Sequence, residues 1–171
     1  MVMLALPASA APTFPPLTGR VVDNAHLLSA EGTQALSAKL EAFEAATGHQ
    51  VVVVTLTTLQ GYEIEDYGYQ LGRTWQIGQK GKNDGALFII APNERKVRIE
   101  VGYGLEGVMT DALSNVIIQQ KVLPPFKAGD MEAGIVGGTD AIIAQLSASP
   151  EEAAATLKAV NKPSHHSKSR I

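Results

Sequence analysis

The chain has 171 residues, no cysteine, and a formal charge of −3 from 14 basic and 17 acidic side chains. That length favours one domain of about 125 residues with a tail at each end, large enough to bury a core without covalent staples. The charge balance argues against a nucleic-acid surface, and the missing cysteines exclude disulfides and thiolate metal sites.

The first residues, Met1–Ala11, read MVMLALPASAA, a short apolar stretch ending in small side chains. With Ala8-Ser9-Ala10 fitting an A-x-A cleavage pattern, it matches the back half of a secretory signal. Residues 1–14 are therefore expected to be a signal remnant and lead-in. Export would place the domain in the periplasm or another extracytoplasmic space, where millimolar calcium is an available ligand. Three prolines between Pro12 and Gly19 keep helix out of the lead-in. Arg20–Asp23 predicts a short edge strand. Ser29 is a good N-cap for a helix that buries Leu36, Leu40 and Phe43 and stops at Gly48. Gln50–Leu56 is a β-branched run suited to a central strand. A second helix carries Ile64, Tyr67, Leu71 and Trp75 on one face, the aromatic pair being core rather than a binding platform. Ile77–Gly85 then reads as a surface loop with three glycines.

Two hydrophobic runs, Ala86–Ala91 and Lys96–Val101, flank Pro92-Asn93-Glu94-Arg95, whose centre is turn chemistry. The first run is apolar throughout and suits a strand buried on both faces. In the second, Val97, Ile99 and Val101 alternate with Lys96, Arg98 and Glu100, which predicts a strand with one wetter face. A hairpin with Ala91 opposite Lys96 places Gly85 opposite Gly102 and Asp84 opposite Tyr103. A third helix starts near Thr110–Asp111, carries Leu113, Val116 and Ile117, and is expected to end at Pro124-Pro125. Asp130 caps a fourth, with Ile135, Ile142, Ile143 and Leu146 as its buried stripe. From Ser147 the apolar content falls, so residues 147–171 read as a disordered tail or linker. The element order predicts an α/β fold: a three-layer α/β/α sandwich over residues 15–146. Its central mixed sheet has four to five strands, with helices on both faces.

The hairpin mouth is the candidate site. Gly102-Tyr103-Gly104-Leu105-Glu106-Gly107 matches G-x-G-x-x-G after a strand. As a nucleotide fingerprint it fails, because Glu106 would face the pyrophosphate and no second strand ends in an acid at ribose spacing. A cation fits better: glycines let carbonyls approach an ion, and Asp84, Glu106 and Asp111 offer hard oxygens for Ca²⁺ or Mg²⁺. The same residues also read as turn and capping chemistry, with Asp84-Gly85 as a turn and Asp111 as a helix cap. His26 and His49 stand alone and read as packing or exposed. The tail pair His165-His166 is weak metal chemistry.

Four stretches together resemble the TPM domain family, which includes YgcG-type bacterial proteins and thylakoid-lumen phosphatase-like proteins. They are Val22–Ser29 (VDNAHLLS), Trp75–Gly78, Asn83–Leu87 (NDGAL), and Arg95–Asp111 with its VRIEVGYGLEG core. The resemblance spans roughly Pro15 to Leu146. It implies an exported α/β/α sandwich, often followed by a membrane segment, which would make the full-length protein membrane-associated. It also implies divalent-cation binding, chiefly calcium, and for some members acid phosphatase activity. The family's acidic positions map onto Asp23, Asp84, Glu106 and Asp111, which favours the cation reading at the mouth.

Two functions follow as expectations. One is an exported monomeric binding module that holds Ca²⁺ (or Mg²⁺) and meets an envelope or membrane protein partner. The other is a metal-dependent acid phosphatase in which Asp84 and Glu106 hold the ion that activates water. With no evident histidine or serine nucleophile, binding is favoured over catalysis.

Overall fold

A computed structural model describes residues 11–78 and 80–162. The signal-like residues 1–10 and the tail histidines lie outside them. Four strands form the sheet: β1 (Val21–Asp23), β2 (Gln50–Thr55), β3 (Gly85–Ala91) and β4 (Lys96–Val101), in that spatial order. β1, β2 and β3 run parallel, and β4 is antiparallel to β3 with Ala91 opposite Lys96 and Ala86 opposite Val101. The register read from the turn and the alternation is therefore the observed one.

Between β1 and β2 lies α1 (Ala30–Thr47), whose N-cap Ser29 accepts the Gly32 N–H and whose C-terminal stop, Gly48, sits at φ 76°. Between β2 and β3 lies α2 (Ile64–Thr74). The pleat sends alternate residues to opposite faces. Val51, Val53, Phe88, Ile90 and Ile99 meet Leu36, Leu40 and Phe43 of α1 on one face. Val52, Val54, Leu87 and Ile89 meet Ile64, Tyr67, Leu71 and Trp75 on the other. Helices thus cover both faces of a mixed sheet. Because β1-β2-β3 advance in one direction while α1 and α2 lie on opposite faces, the two parallel crossovers have opposite hands. One of them is left-handed, against the strong right-handed preference.

After β4 come a 3₁₀ turn (Tyr103–Leu105), α3 (Asp111–Ile117), a π-helical turn (Ile118–Val122) and α4 (Leu123–Lys127). Here the structure corrects the expectation that Pro124-Pro125 ends the third helix. Both prolines sit in the first turn of α4, where missing N–H groups cost nothing, and the π turn carries the chain into it. Asp130 caps α5 (Met131–Ser147), which lies on the α1 face. Close packing of α5 on the π turn needs glycine: a Cβ on Gly134 or Gly138 would come within 2.7 Å of the Val122 carbonyl or the Phe88 ring.

A second correction concerns the tail. Pro150–Val160 form α6, opened by a Ser149–Glu152 capping box and docked on the core through Leu157 and Val160. No helix among the described residues is long and apolar enough to cross a membrane.

The lead-in is fastened over α2. Phe14 packs edge-on against Tyr67, the Trp75 Nε1–H donates to the Pro15 carbonyl at 2.8 Å, and the Tyr67 hydroxyl donates to the Thr13 carbonyl at 3.2 Å. Burial raises the Tyr67 phenol above its ordinary value of 10.0. The folded state therefore keeps that proton after the unfolded chain has released it. The resulting stability is complete below pH 10 and is lost as pH rises through the raised value. Denaturant titrations at alkaline pH should show this decline in the wild type and a shallower one in Tyr67→Phe.

Candidate functional site at the hairpin mouth

The open end of the β3–β4 hairpin is a crossing of main chains. Gly102 N–H donates to the Gly85 carbonyl at 2.8 Å, and Gly104 N–H to the Asn83 carbonyl at 3.0 Å. A Cβ on Gly102 would overlap the Asn83 carbonyl, and one on Gly104 the Lys82 carbonyl. These glycines are required by the approach of segment 82–85 to segment 102–104, whatever else the loops do.

Asp84 lies at this crossing, one residue ahead of β3, and is only 8% exposed. Parallel pairing of Gln50 with Gly85 brings the residue preceding β2, His49, beside it. His49 Nδ1 stands 3.7 Å from Asp84 Oδ2 and is buried without a hydrogen-bond partner among the described residues. The imidazole is steadied by the Phe43 ring at 6.4 Å between centroids. From sequence, His49 reads as packing or exposed. Its place beside Asp84 depends on a strand register that no local pattern announces. Tyr103, 80% exposed, stands on the rim.

The other acids are placed differently. Asp23 ends β1 opposite Thr55, at the far edge of the sheet. From His49 beside Asp84 to Thr55 is six residues of strand, about 20 Å. Both Asp23 oxygens are committed: Oδ1 accepts the Leu27 N–H at 3.0 Å and the Thr55 hydroxyl at 2.6 Å, and Oδ2 accepts the Leu28 N–H at 2.9 Å. Open α/β sheets commonly take ligands in the crevice at the carboxyl ends of their strands, where successive connections diverge. Here Asp23 spends that position on its own loop.

Glu106 follows the 3₁₀ turn and is exposed; Asp111 is exposed in the first turn of α3, whose N-cap is Thr110. Neither carboxylate accepts a hydrogen bond from the described residues. Among those residues, no three His, Asp or Glu side chains converge closely enough to hold a metal. The structure therefore joins Asp84 to His49, leaves Glu106 and Asp111 uncommitted on the segments that follow the mouth, and separates Asp23 from all of them.

A profile of the TPM domain matches residues 21–145. No curated protein matches the chain. Among solved structures, the N-terminal domain of a P. gingivalis protein, determined by solution NMR, is 33% identical with a TM-score of 0.71. The alignment covers 76% of this chain and 83% of that one. The N-terminal domain of a Corynebacterium glutamicum protein is 17% identical, with a TM-score of 0.59 and coverage of 82% and 90%. A protein of the psychrophilic bacterium Bizionia argentinensis is 19% identical, with a TM-score of 0.61 and coverage of 70% and 81%. The last two are similar in fold alone.

Proposed function

Since the chain belongs to the TPM domain family, we propose that it is an exported binding module whose hairpin mouth takes a divalent cation, calcium before magnesium, and presents the filled loops to an envelope protein partner. The observation that carries this reading is Asp84: a carboxylate withdrawn from water at a glycine-lined junction of loops. A carboxylate taken out of water gains from a positive charge placed beside it, and a cation supplies that charge. Main-chain carbonyls of the crossing loops are hard oxygen donors of the type Ca²⁺ accepts beside a carboxylate. Asp23 does not fit as a ligand, because its oxygens already hold the β1–α1 loop. The group that fits is thus Asp84 with loop carbonyls and water, since among the described residues Glu106 and Asp111 do not gather with it into a three-carboxylate set. Ligands drawn from separate loops suit a weak site, of the order of 0.1–1 mM, as in extracellular calcium modules.

Thermal melting tests this reading. At about 10 mM Ca²⁺, ten- to a hundredfold over such a Kd, binding should stabilise the fold by about 1.4–2.7 kcal/mol and raise Tm by about 3–10 °C. Asp84→Asn should abolish the rise. A wild type that melts at the same temperature with and without Ca²⁺ or Mg²⁺ refutes the proposal.

Metal-dependent phosphomonoester hydrolysis is the second reading, favoured by one observation: an imidazole stands 3.7 Å from Asp84. In that case a generic phosphate ester is turned over only with the metal present, and turnover disappears in Asp84→Asn and Glu106→Gln. Binding without turnover leaves the module reading standing.

A further inference from the structure

β4 ends the sheet on one side, and among the described residues nothing pairs with its outer edge. Gly102 N–H bonds to Gly85, directly opposite, and in an antiparallel ladder the bonded positions alternate. Lys96, Arg98 and Glu100 therefore turn their main-chain groups toward β3, while Val97, Ile99 and Val101 turn theirs outward. Among the described residues no hydrogen bond reaches those outward groups. Exposed edges of this kind are templates for another strand unless blocked by proline, a bulge or unmatched charge. β4 has no proline, and its side chains carry charges of both signs.

We propose that β4 pairs antiparallel with β4 of a second copy about a two-fold axis through Ile99. Outward groups bond each other only if Val97, Ile99 and Val101 face one another. That allows centres at residue 98, 99 or 100. A centre at 98 sets Arg98 against the second copy's Arg98, and a centre at 100 sets Glu100 against its counterpart. Each is a like-charge pair directly opposite, which is destabilising. A centre at 99 opposes Ile99 to Ile99 and Val97 to Val101, so all three outward residues are matched.

The same centre places Arg98 of each chain opposite Glu100 of the other, at the non-hydrogen-bonded positions where side chains approach more closely. Arg98 and Glu100 already pair within the strand, Nε to Oε2 at 2.6 Å, with side chains 31% and 18% exposed. On the opposite face the half-buried Val97 and Val101 cover each other across the axis. One register satisfies backbone, charge and apolar cover together. The product is a closed isologous dimer with a continuous eight-stranded sheet. Against the expectation of a monomeric module, β4 is a self-complementary edge.

The test is the mass of the full chain in solution, followed by sedimentation from micromolar to millimolar concentration. The wild type should pass from one to twice the chain mass as concentration rises. Arg98→Glu sets a new carboxylate against Glu100 at both ends of the interface, and Glu100→Arg sets a new guanidinium against Arg98. Each variant alone should dimerise about tenfold more weakly or worse. Mixed together, one chain carries two acids and the other two bases, so a heterodimer should return. A loss caused by misfolding would not be reversed by mixing. The proposal is overturned by a wild type that stays monomeric throughout, by single variants that dimerise as well as the wild type, or by a mixture of folded variants that remains monomeric.

Discussion

Gly102→Ala is expected to destabilise the fold by about 3 kcal/mol or more and to lower Tm by roughly 6–12 °C. A Cβ at this position meets the carbonyl of Asn83, and a backbone carbonyl cannot rotate aside as the end of a side chain can. To relieve the overlap, segment 82–85 must move off segment 102–104. That movement breaks the Gly104-to-Asn83 and Gly102-to-Gly85 hydrogen bonds, at 3.0 and 2.8 Å, which close the hairpin. Gly104→Ala should behave alike through the Lys82 carbonyl. Gly107 lies in the same loop, but a Cβ there meets nothing within 4 Å and its φ is not positive. Gly107→Ala should therefore stay within about 0.5 kcal/mol of the wild type. Equal loss at all three positions, measured by denaturant unfolding, would mean that loop flexibility matters and the main-chain crossing does not.

Asp23→Ala is expected to cost about 2–4 kcal/mol while leaving the response to calcium as in the wild type. The substitution removes the acceptor for two N–H groups and for the hydroxyl of Thr55, a fully buried side chain. Hydrogen bonds to a charged acceptor are worth more than neutral ones, and orphaned donors retain their desolvation penalty. Thr55 also accepts the Ala25 N–H at 2.9 Å, so losing its partner loosens the whole β1–α1 connection. Asp23→Asn should recover part of the loss, because an amide keeps one accepting oxygen. A melting rise with calcium that vanished in a folded Asp23→Ala would return Asp23 to the ligand set.

Most of the sheet is legible in the sequence because its signals are local. The Pro92–Arg95 turn and the alternation of Val97, Ile99 and Val101 set the hairpin register, and Ser29, Gly48 and Asp130 mark helix ends through cap chemistry. α6 is obscured by its composition: it buries mainly alanine and the ends of Leu157 and Val160, too little apolar surface for a periodicity reading. Its Ser149-Pro150-Glu151-Glu152 start nevertheless carries a capping box. Pro124-Pro125 read as a stop because interior prolines break helices, whereas first-turn prolines start them.

The candidate site is half legible. Asp84 and the glycines are placed at the mouth by the hairpin alone. His49 needs the parallel pairing of β2 with β3, which joins residues 35 positions apart and leaves no local trace. Asp23 enters through its resemblance to a family position, and its hydrogen bonds assign it to the loop instead.

Calorimetric titration of the full chain with calcium decides whether the hairpin mouth holds a cation. The wild type should take up one ion with a Kd of the order of 0.1–1 mM. Asp84→Asn should bind at least tenfold more weakly, and Asp23→Ala as the wild type does. No binding by the wild type at millimolar calcium, or equal binding by Asp84→Asn, would contradict the assignment of the hairpin mouth as a cation site.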